Sequence, residues 1–567
     1  MNTLNTYLPH FTIAVANCVL LAAAGFAAPT VVELSSNPET LEIQGQAAGQ
    51  ELGGTGLGIS RTLTTGDLNG DGIGDLAIAT PNYGTTGAVH VVFGRATWPT
   101  NLALISNLAD VVIGGASSQR LATALAIGEV NGDGLGDLVI GSNTLDAPGL
   151  TDCGKVLIYF GRTNWPATLG IADADVTLTG DTASGYFGES LCLGDLDGDG
   201  IADLAVTAPR HDVTTTIFGV ETNLTLFGKV YVFRGNTNWS AAPALSTAAT
   251  VLHGVQTNSL INAQVWMGDC NGDGRADLFL GAFGARPIGV IPSPSSKKIG
   301  IVWGLLGQPA DDWPATVNLL DFETATVGEH VDFYVHGNNA AYGIGIRGAC
   351  GDLNGDGFSD LIIAASPSFS HLYVFFGRTN FAPLEPFAPA DIDLRRDRYF
   401  GSATVLGHPG VTSLSHVLNT VAVGDFDGDG LEDLLTGFST ANVSGRNQAG
   451  LVALRYGRSE WPVIAEDDDV LYYGEVASDG AGAMVAVGDI TGDGRAELIF
   501  NAPGADRIGV SSMGKVYIIA GEYSPPTLDL EVSDGVATVA AGSRSGRTLR
   551  LEASEDLGTW TPMSTWN

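Results

Sequence analysis

The chain has 567 residues, of which 62 are acidic and 26 basic, for a formal charge of −36 at pH 7. A surface this acidic repels nucleic acid and anionic lipid, so neither is expected as a partner. Length alone would allow about three or four ordinary domains, but a repeat of fixed period, described below, overrides that count.

Residues 11–28 form an apolar run that ends in Ala22, Ala23, Ala24, Gly25, Phe26, Ala27 and Ala28. Small residues after a short apolar stretch mark residues 1–28 as a secretory signal cut near Ala27. The first ten residues carry no Lys or Arg, and the run is also long enough to serve as an uncleaved anchor. Without that anchor no membrane insertion is expected. Cys18 falls in the signal; Cys153, Cys192, Cys270 and Cys350 show no Cys-x-x-Cys pairing and read as small buried residues.

A short strand is expected at residues 40–45, ahead of the first of seven related units. The clearest unit runs Leu193-Gly194-Asp195-Leu196-Asp197-Gly198-Asp199-Gly200-Ile201-Ala202-Asp203-Leu204. Asp195, Asp197, Asp199 and Asp203 fall at positions 1, 3, 5 and 9 of a loop. Gly200 at position 6 allows a sharp turn, and Ile201 at position 7 offers a carbonyl. Ca²⁺ takes about six to eight oxygens at roughly 2.3–2.6 Å, and alternate residues of a tight loop point inward to supply them. The spacing begins like an EF-hand loop but lacks its Glu at position 12. The flanks are apolar runs of strand length bounded by Gly and Pro, so the loop joins two β-strands.

The seven candidate calcium loops comprise Asp67, Asn69, Asp71, Ile73 and Asp75; Glu129, Asn131, Asp133, Leu135 and Asp137; Asp195, Asp197, Asp199, Ile201 and Asp203; Asp269, Asn271, Asp273, Arg275 and Asp277; Asp352, Asn354, Asp356, Phe358 and Asp360; Asp425, Asp427, Asp429, Leu431 and Asp433; and Asp489, Thr491, Asp493, Arg495 and Glu497. Glu129, Glu497 and Thr491 depart from the pattern, which makes the second and seventh loops the weakest cages expected. Up to seven Ca²⁺, one per unit, would bring the formal charge from −36 to −22.

Around each loop the unit has a first strand before it, a second after it, and a regular third strand, as at residues 87–94, 154–161, 228–233, 372–377 and 514–519. A turn with Trp-Pro often follows (Trp98-Pro99, Trp165-Pro166, Trp313-Pro314, Trp461-Pro462). A fourth strand is expected at residues 111–113, 176–178, 251–253, 333–335, 392–394 and 470–472. Four antiparallel strands make one blade, so the fold class is all-β, a seven-bladed β-propeller over residues 29–523. The seventh unit meets Pro525-Pro526 and has no fourth strand of its own. The strand at residues 40–45 is predicted to complete it and close the ring, since an unpaired blade leaves a strand edge in water. Residues 524–567 read by alternation as about three strands of a small C-terminal β module.

The Phe-Gly opening (Phe187-Gly188, Phe400-Gly401), the Asp-x-Asn-x-Asp-Gly-x-x-Asp loop and the Ala-Pro ending (Ala208-Pro209, Ala502-Pro503) resemble FG-GAP repeats, as in the integrin α-subunit propeller. Similar repeats occur in phospholipase D enzymes specific for glycosylphosphatidylinositol. The resemblance spans residues 38–523 and implies calcium in the loops and a ligand face on the opposite rim. There the loops at residues 210–227 and 284–298, the latter with Arg286, Lys297 and Lys298, are long; another insertion, 408–419, precedes the sixth calcium loop. Long loops on a rigid ring are the default binding surface.

The expected function is that of a secreted or cell-surface calcium-binding module for adhesion, with a protein or glycan ligand. Two other readings are an extracellular hydrolase or lyase with its site in the channel or long loops, and a purely structural envelope module. No Gly-x-Ser-x-Gly, His-Glu-x-x-His or phosphate-loop motif occurs, so no catalytic residue is assigned. His211, His253 and His336 stand singly and read as hydrogen-bonded side chains.

Overall fold

The computed structural model describes residues 30–566, apart from 35–39, 55–60, 82–85, 99–102, 116–119, 255–263, 283–284, 286–299, 322–325, 337–341, 368–370, 380–391, 395–410, 415–419, 460, 462–468, 507–510, 522–526, 534–535, 543–548 and 554–560. The segment expected to be a signal, most of the long loop at 284–298 and most of the insertion at 408–419 lie outside the described residues.

Seven sheets stand around a common axis. Blade one runs outward as Leu63–Gly66, Asp75–Thr80, Ala88–Val92 and Val111–Gly114, each antiparallel to the next. The other blades repeat that order. The first strands touch in cyclic order, with Val485–Gly488 of blade seven against Leu63–Gly66 of blade one. Second strands such as Asp75–Thr80, Asp203–Ala208 and Glu497–Ala502 are buried at every residue. Both of their faces are covered by neighbouring blades, which is why they read as continuous apolar runs rather than as alternating ones.

Each gap between blades holds its own apolar core. Leu68, Ala77, Val89, Leu138 and Leu157 fill the gap between blades one and two, and Trp266, Phe279, Phe333 and Phe375 that between four and five. The gap between seven and one is filled by Leu63, Leu76, Ile490, Ile499, Val516 and, from the N-terminal strand, Ile43.

Closure is as expected. Thr40–Gln44 pairs antiparallel with Lys515–Ile519 of blade seven, Thr40 opposite Ile519 and Gln44 opposite Lys515. Lys515 Nζ also binds Glu42 at 3.2 Å and Glu475 at 2.6 Å. A further N-terminal strand had no counterpart in the sequence reading: Thr30–Glu33 lies parallel to Val470–Tyr473 on the outside of blade six. Glu33 there meets Arg446 at 2.6 Å, and Leu34 enters the core between blades six and seven. Short parallel additions at Ala103–Leu104, Thr168–Gly170 and Thr316–Asn318 cover the outer strands of blades seven, one and three. Covering an edge in this way removes unpaired backbone groups that would template aggregation.

Beyond the ring the described residues contain four strands, not three. Thr527–Ser533 pairs with Val536–Gly542, and Leu549–Ala553 with Thr561–Trp566. The last pair shifts register beside Pro562; a bulge admits a proline to a strand while breaking the alternation by which strands are recognised.

A glycine directly before each candidate loop sets how closely the blades approach the axis. A Cβ on Gly66 would lie 2.5 Å from Ile127, and the same overlap recurs as Gly128 on Leu193, Gly194 on Met267, Gly268 on Cys350, Gly351 on Val423, Gly424 on Val487 and, closing the circle, Gly488 on Thr65. Gly268→Ala would drive its methyl into the Cys350 Cβ, which is fixed to a central strand and has nowhere to go. The expected cost is about 1–3 kcal/mol from overpacking, read as a lower thermal midpoint. Gly114→Ala, in a strand where the added Cβ would meet only the Leu169 carbonyl at 3.9 Å, is the control for added side-chain bulk.

Candidate metal loops

Each loop spans from the first strand to the second, so all seven lie on one rim. In loop one the Asp67 carboxylate accepts the N–H groups of Gly70 at 2.7 Å and Gly72 at 2.8 Å. Asn69 Oδ1 accepts from Asp71 N, and Asp71 Oδ1 from Ile73 N. The turn depends on two left-handed residues, Gly70 at φ 76° and Gly72 at φ 82°, and matching glycines recur in all seven loops. The sequence reading used only the second of the two.

Position 9 is different in kind. Asp75 opens the second strand, is wholly buried, and accepts from Leu68 N and from Gly94 N at the end of the third strand, both at 2.8 Å. It therefore ties the loop to two strands at once. Burial pushes the carboxyls of Asp75, Asp137, Asp277 and Asp360 up to about 7, against those two backbone hydrogen bonds. Asp203 is raised to about 6, Asp433 to about 8 and Glu497 to about 7, again chiefly by burial. An opposite charge within a few ångströms would restore the ionised form, so the donor set is one that a hard divalent cation fits. Asp195, Asp197 and Asp199, then Asp425, Asp427 and Asp433, then Asp489, Asp493 and Glu497, each bring three carboxylate oxygens within 4.8 Å of one another. Loop seven thus gathers its carboxylates despite Thr491.

Arginines enter loops three, four and seven. Arg234 Nη1 lies 3.0 Å from both Asp197 and Asp203. Arg275 reaches Asp273 at 3.4 Å, and Arg495 pairs with Asp493. The position-7 residues have a second use. Leu135, Ile201, Arg275, Phe358, Leu431, Arg495 and Ile73 each lie over the position-4 glycine of the preceding loop, from Gly70 round to Gly492.

The loops are also hydrogen-bonded to one another. The N–H at position 8 donates to the position-1 carbonyl of the loop before it: Gly74 to Asp489, Gly136 to Asp67, Ala202 to Glu129, Ala276 to Asp195, Ser359 to Asp269, Glu432 to Asp352 and Ala496 to Asp425. That circuit is complete. Tryptophans after the third strands brace it from outside: Trp98, Trp165 and Trp461 of the Trp-Pro turns, and Trp239, which Ser240 follows, donate their indole N–H to the position-2 carbonyls of Ile490, Leu68, Leu353 and Val130, whereas Trp313 donates to Gln308 in its own turn. Arg95, Arg162 and Arg458 stack on Trp98, Trp165 and Trp461. The recurrence of the indoles was visible in the sequence; their position-2 acceptors, about a hundred residues or more away, were not.

Of the three singled-out histidines, His211 and His253 are hydrogen-bonded, and His336 sets its ring beside that of Tyr334, centroids 6.4 Å apart. His211 Nε2 lies 2.6 Å from Asp181, holding that carboxyl down to about 2, and His253 Nδ1 lies 3.0 Å from Asn318 Oδ1.

On the opposite rim, the connection between the second and third strands of blade three folds as a hairpin, Val213–Ile217 with Val220–Leu224. Its tip residues Phe218 and Val220 are 75% and 64% exposed.

The FG-GAP repeat model matches residues 61–92, 187–233, 418–454 and 481–519, in blades one, three, six and seven. Mouse phosphatidylinositol-glycan-specific phospholipase D is 31% identical over 152 residues, 26% of this chain and 18% of that protein. Mouse integrin alpha-IIb is 30% identical over 189 residues, 33% of this chain and 16% of the integrin. Integrin alpha-PS2 of Drosophila melanogaster is 35% identical over 185 residues, 31% and 11% of the two chains. The chain thus spans less than a quarter of the length of these curated relatives. Among solved structures the rhamnogalacturonan lyase YesW aligns over 85% of this chain and 91% of its own, at 11% identity and a TM-score of 0.30, too low to bear on function. With these matches on a closed ring of seven four-stranded blades, the chain is a seven-bladed β-propeller that carries FG-GAP repeats in blades one, three, six and seven.

Proposed function

We propose that the protein is an exported, calcium-loaded propeller that binds a protein or glycan ligand on the rim opposite its metal loops. The loops hold the ring rigid, and the blade-three hairpin reads the ligand. The observation that carries this reading is the exposed apolar tip of that hairpin: a Phe at 75% exposure, on a rigid base, costs little ordering entropy on binding. The calcium assignment is supported by the buried position-9 carboxylates and by the three convergent carboxylate sets. Export is supported by the apolar segment at residues 11–28; among the described residues no helix is long and apolar enough to cross a membrane.

The test is a screen of the calcium-loaded protein against protein and glycan arrays, repeated with Phe218→Ser combined with Val220→Ser. Binding to a defined ligand by the parent, lost in the variant while the thermal midpoint is unchanged, is the expected result. Surface substitutions of this kind move stability by no more than about 0.5 kcal/mol. Undiminished binding by the variant would move the ligand face elsewhere, and absence of binding by the parent would leave the structural-module reading.

A further inference from the structure

The first strands enclose a channel of about 280 Å³ on the propeller axis. Aliphatic side chains line most of it, with Cys192, Trp266, Cys350 and a single charged residue, Arg61. Among the described lining residues there is no carboxylate, in a chain whose formal charge is −36. Arg61 precedes the first strand of blade one and therefore stands toward the end of the channel away from the metal loops. Solvent reaches its side chain, and partial desolvation by the channel walls holds its guanidinium below the ordinary range.

Two lining donors from different blades, Arg61 and Trp266, stand here, and Arg347 of a third blade lies behind the wall they form, its Nη1 donating to the Ile346 carbonyl at 2.7 Å. Arg61 Nη2 donates to the Gly348 carbonyl at 3.2 Å, 287 residues away. Arg347 is the neighbour of that glycine and is 6% exposed; it sits where a register shift between Ile344 and Arg347 interrupts the long first strand of blade five. Trp266 of blade four lies flat against Gly348, where any added Cβ would overlap the indole. Its Nε1 is buried and has no acceptor. An indole N–H left buried without a partner costs free energy, and burial first, then repulsion from the Arg61 guanidinium, lowers Arg347 to about 10. An anion between them would relieve both costs.

We propose that this channel is a binding site for a small oxyanion, a sulfate, phosphate or carboxylate group, held by Arg61, Arg347 and the indole N–H of Trp266. Guanidinium forks match the paired oxygens of such groups. The Cys192 thiol, which burial keeps protonated, adds a weak donor on the same wall. The cavity exceeds the roughly 30 Å³ share of one water by enough to admit an oxyanion with part of its hydration shell. The group arrives either as a free ion or as the anionic substituent of a larger molecule entering from the rim that carries the blade-three hairpin. The site shares no residue with the metal loops or the hairpin, so it stands or falls independently of them.

Isothermal titration of the full, calcium-loaded protein with sodium sulfate, at ionic strength held constant with chloride, tests this directly. One saturable site per chain is expected. Arg61→Gln and Arg347→Gln should each weaken it by at least about tenfold, the loss of one charge-assisted pair. Trp266→Phe, which removes only the N–H donor, should weaken it severalfold and keeps the test usable if an arginine variant fails to fold. Arg162→Gln, on the outer edge of blade two, should bind as the parent does. A sulfated disaccharide that binds more tightly than sulfate identifies a substituent as the natural ligand, and one that binds more weakly identifies the free ion. No saturable binding of sulfate, or equal affinity in Arg61→Gln and Trp266→Phe, overturns the proposal.

Discussion

A chain beginning at residue 46 is expected to lose cooperative unfolding and to self-associate, because removing Thr30–Glu33 and Thr40–Gln44 opens the ring. The third strand of blade seven, Lys515–Ile519, would lose its outer partner along five residues, and blade six would lose its parallel addition. Ile43, fully buried between blades seven and one, and Leu34, 2% exposed between six and seven, would leave both cores adjoining blade seven. Each lost aliphatic side chain is worth about 2–5 kcal/mol once the remaining cavity is counted, against a total stability of roughly 5–15 kcal/mol. The exposed strand edge then provides a template for a second copy. Calorimetry with analytical ultracentrifugation reads both effects, and a synthetic peptide of residues 30–45 added in trans should restore the transition. A truncated protein that stays monomeric with the parent's thermal midpoint would mean that the ring does not depend on its N-terminal strands. The milder Ile43→Ala should lower the midpoint without causing association.

Chelation should produce the other large change. Metal analysis of the purified protein is expected to find close to seven Ca²⁺ per chain, and excess EGTA to lower the thermal midpoint strongly. A ligand that binds only the folded state stabilises it by about 2.7 kcal/mol per site at a hundred times its dissociation constant. Seven such terms would dominate the stability. The loss should come as one transition rather than seven, because each loop's position-1 carbonyl accepts from the next loop and each position-7 side chain covers the preceding glycine. Loosening one loop therefore removes support from its neighbours. Loops three, four and seven, where Arg234, Arg275 and Arg495 already contact the carboxylates, should release their ions first in a calcium titration. Absence of bound calcium, or an unchanged midpoint in EGTA, would return the clustered carboxylates to the list of candidate catalytic groups.

The number of blades, their four strands and the closing partner of the seventh were all legible in the chain. The reason is that these depend on local periodicity and on counting: seven loops of one pattern, six fourth strands, and one matching strand ahead of the first repeat. The loop residues were legible for the same reason, since positions 1, 3, 5 and 9 serve a turn only nine residues long. Pairing across the ring was not. The glycine before each loop recurs in all seven copies, yet its purpose is visible only when Gly268 is found against Cys350 and Gly488 against Thr65. Thr30–Glu33 has no periodic signal of its own and is a strand because blade six offers it an edge. The meeting of Arg61, Trp266 and Arg347 depends on how seven blades divide a circle and on one register shift in blade five. Side-chain pattern records which face of a strand is buried; which distant residue buries it is set by the radius and closure of the ring, and only the assembled tertiary structure decides that.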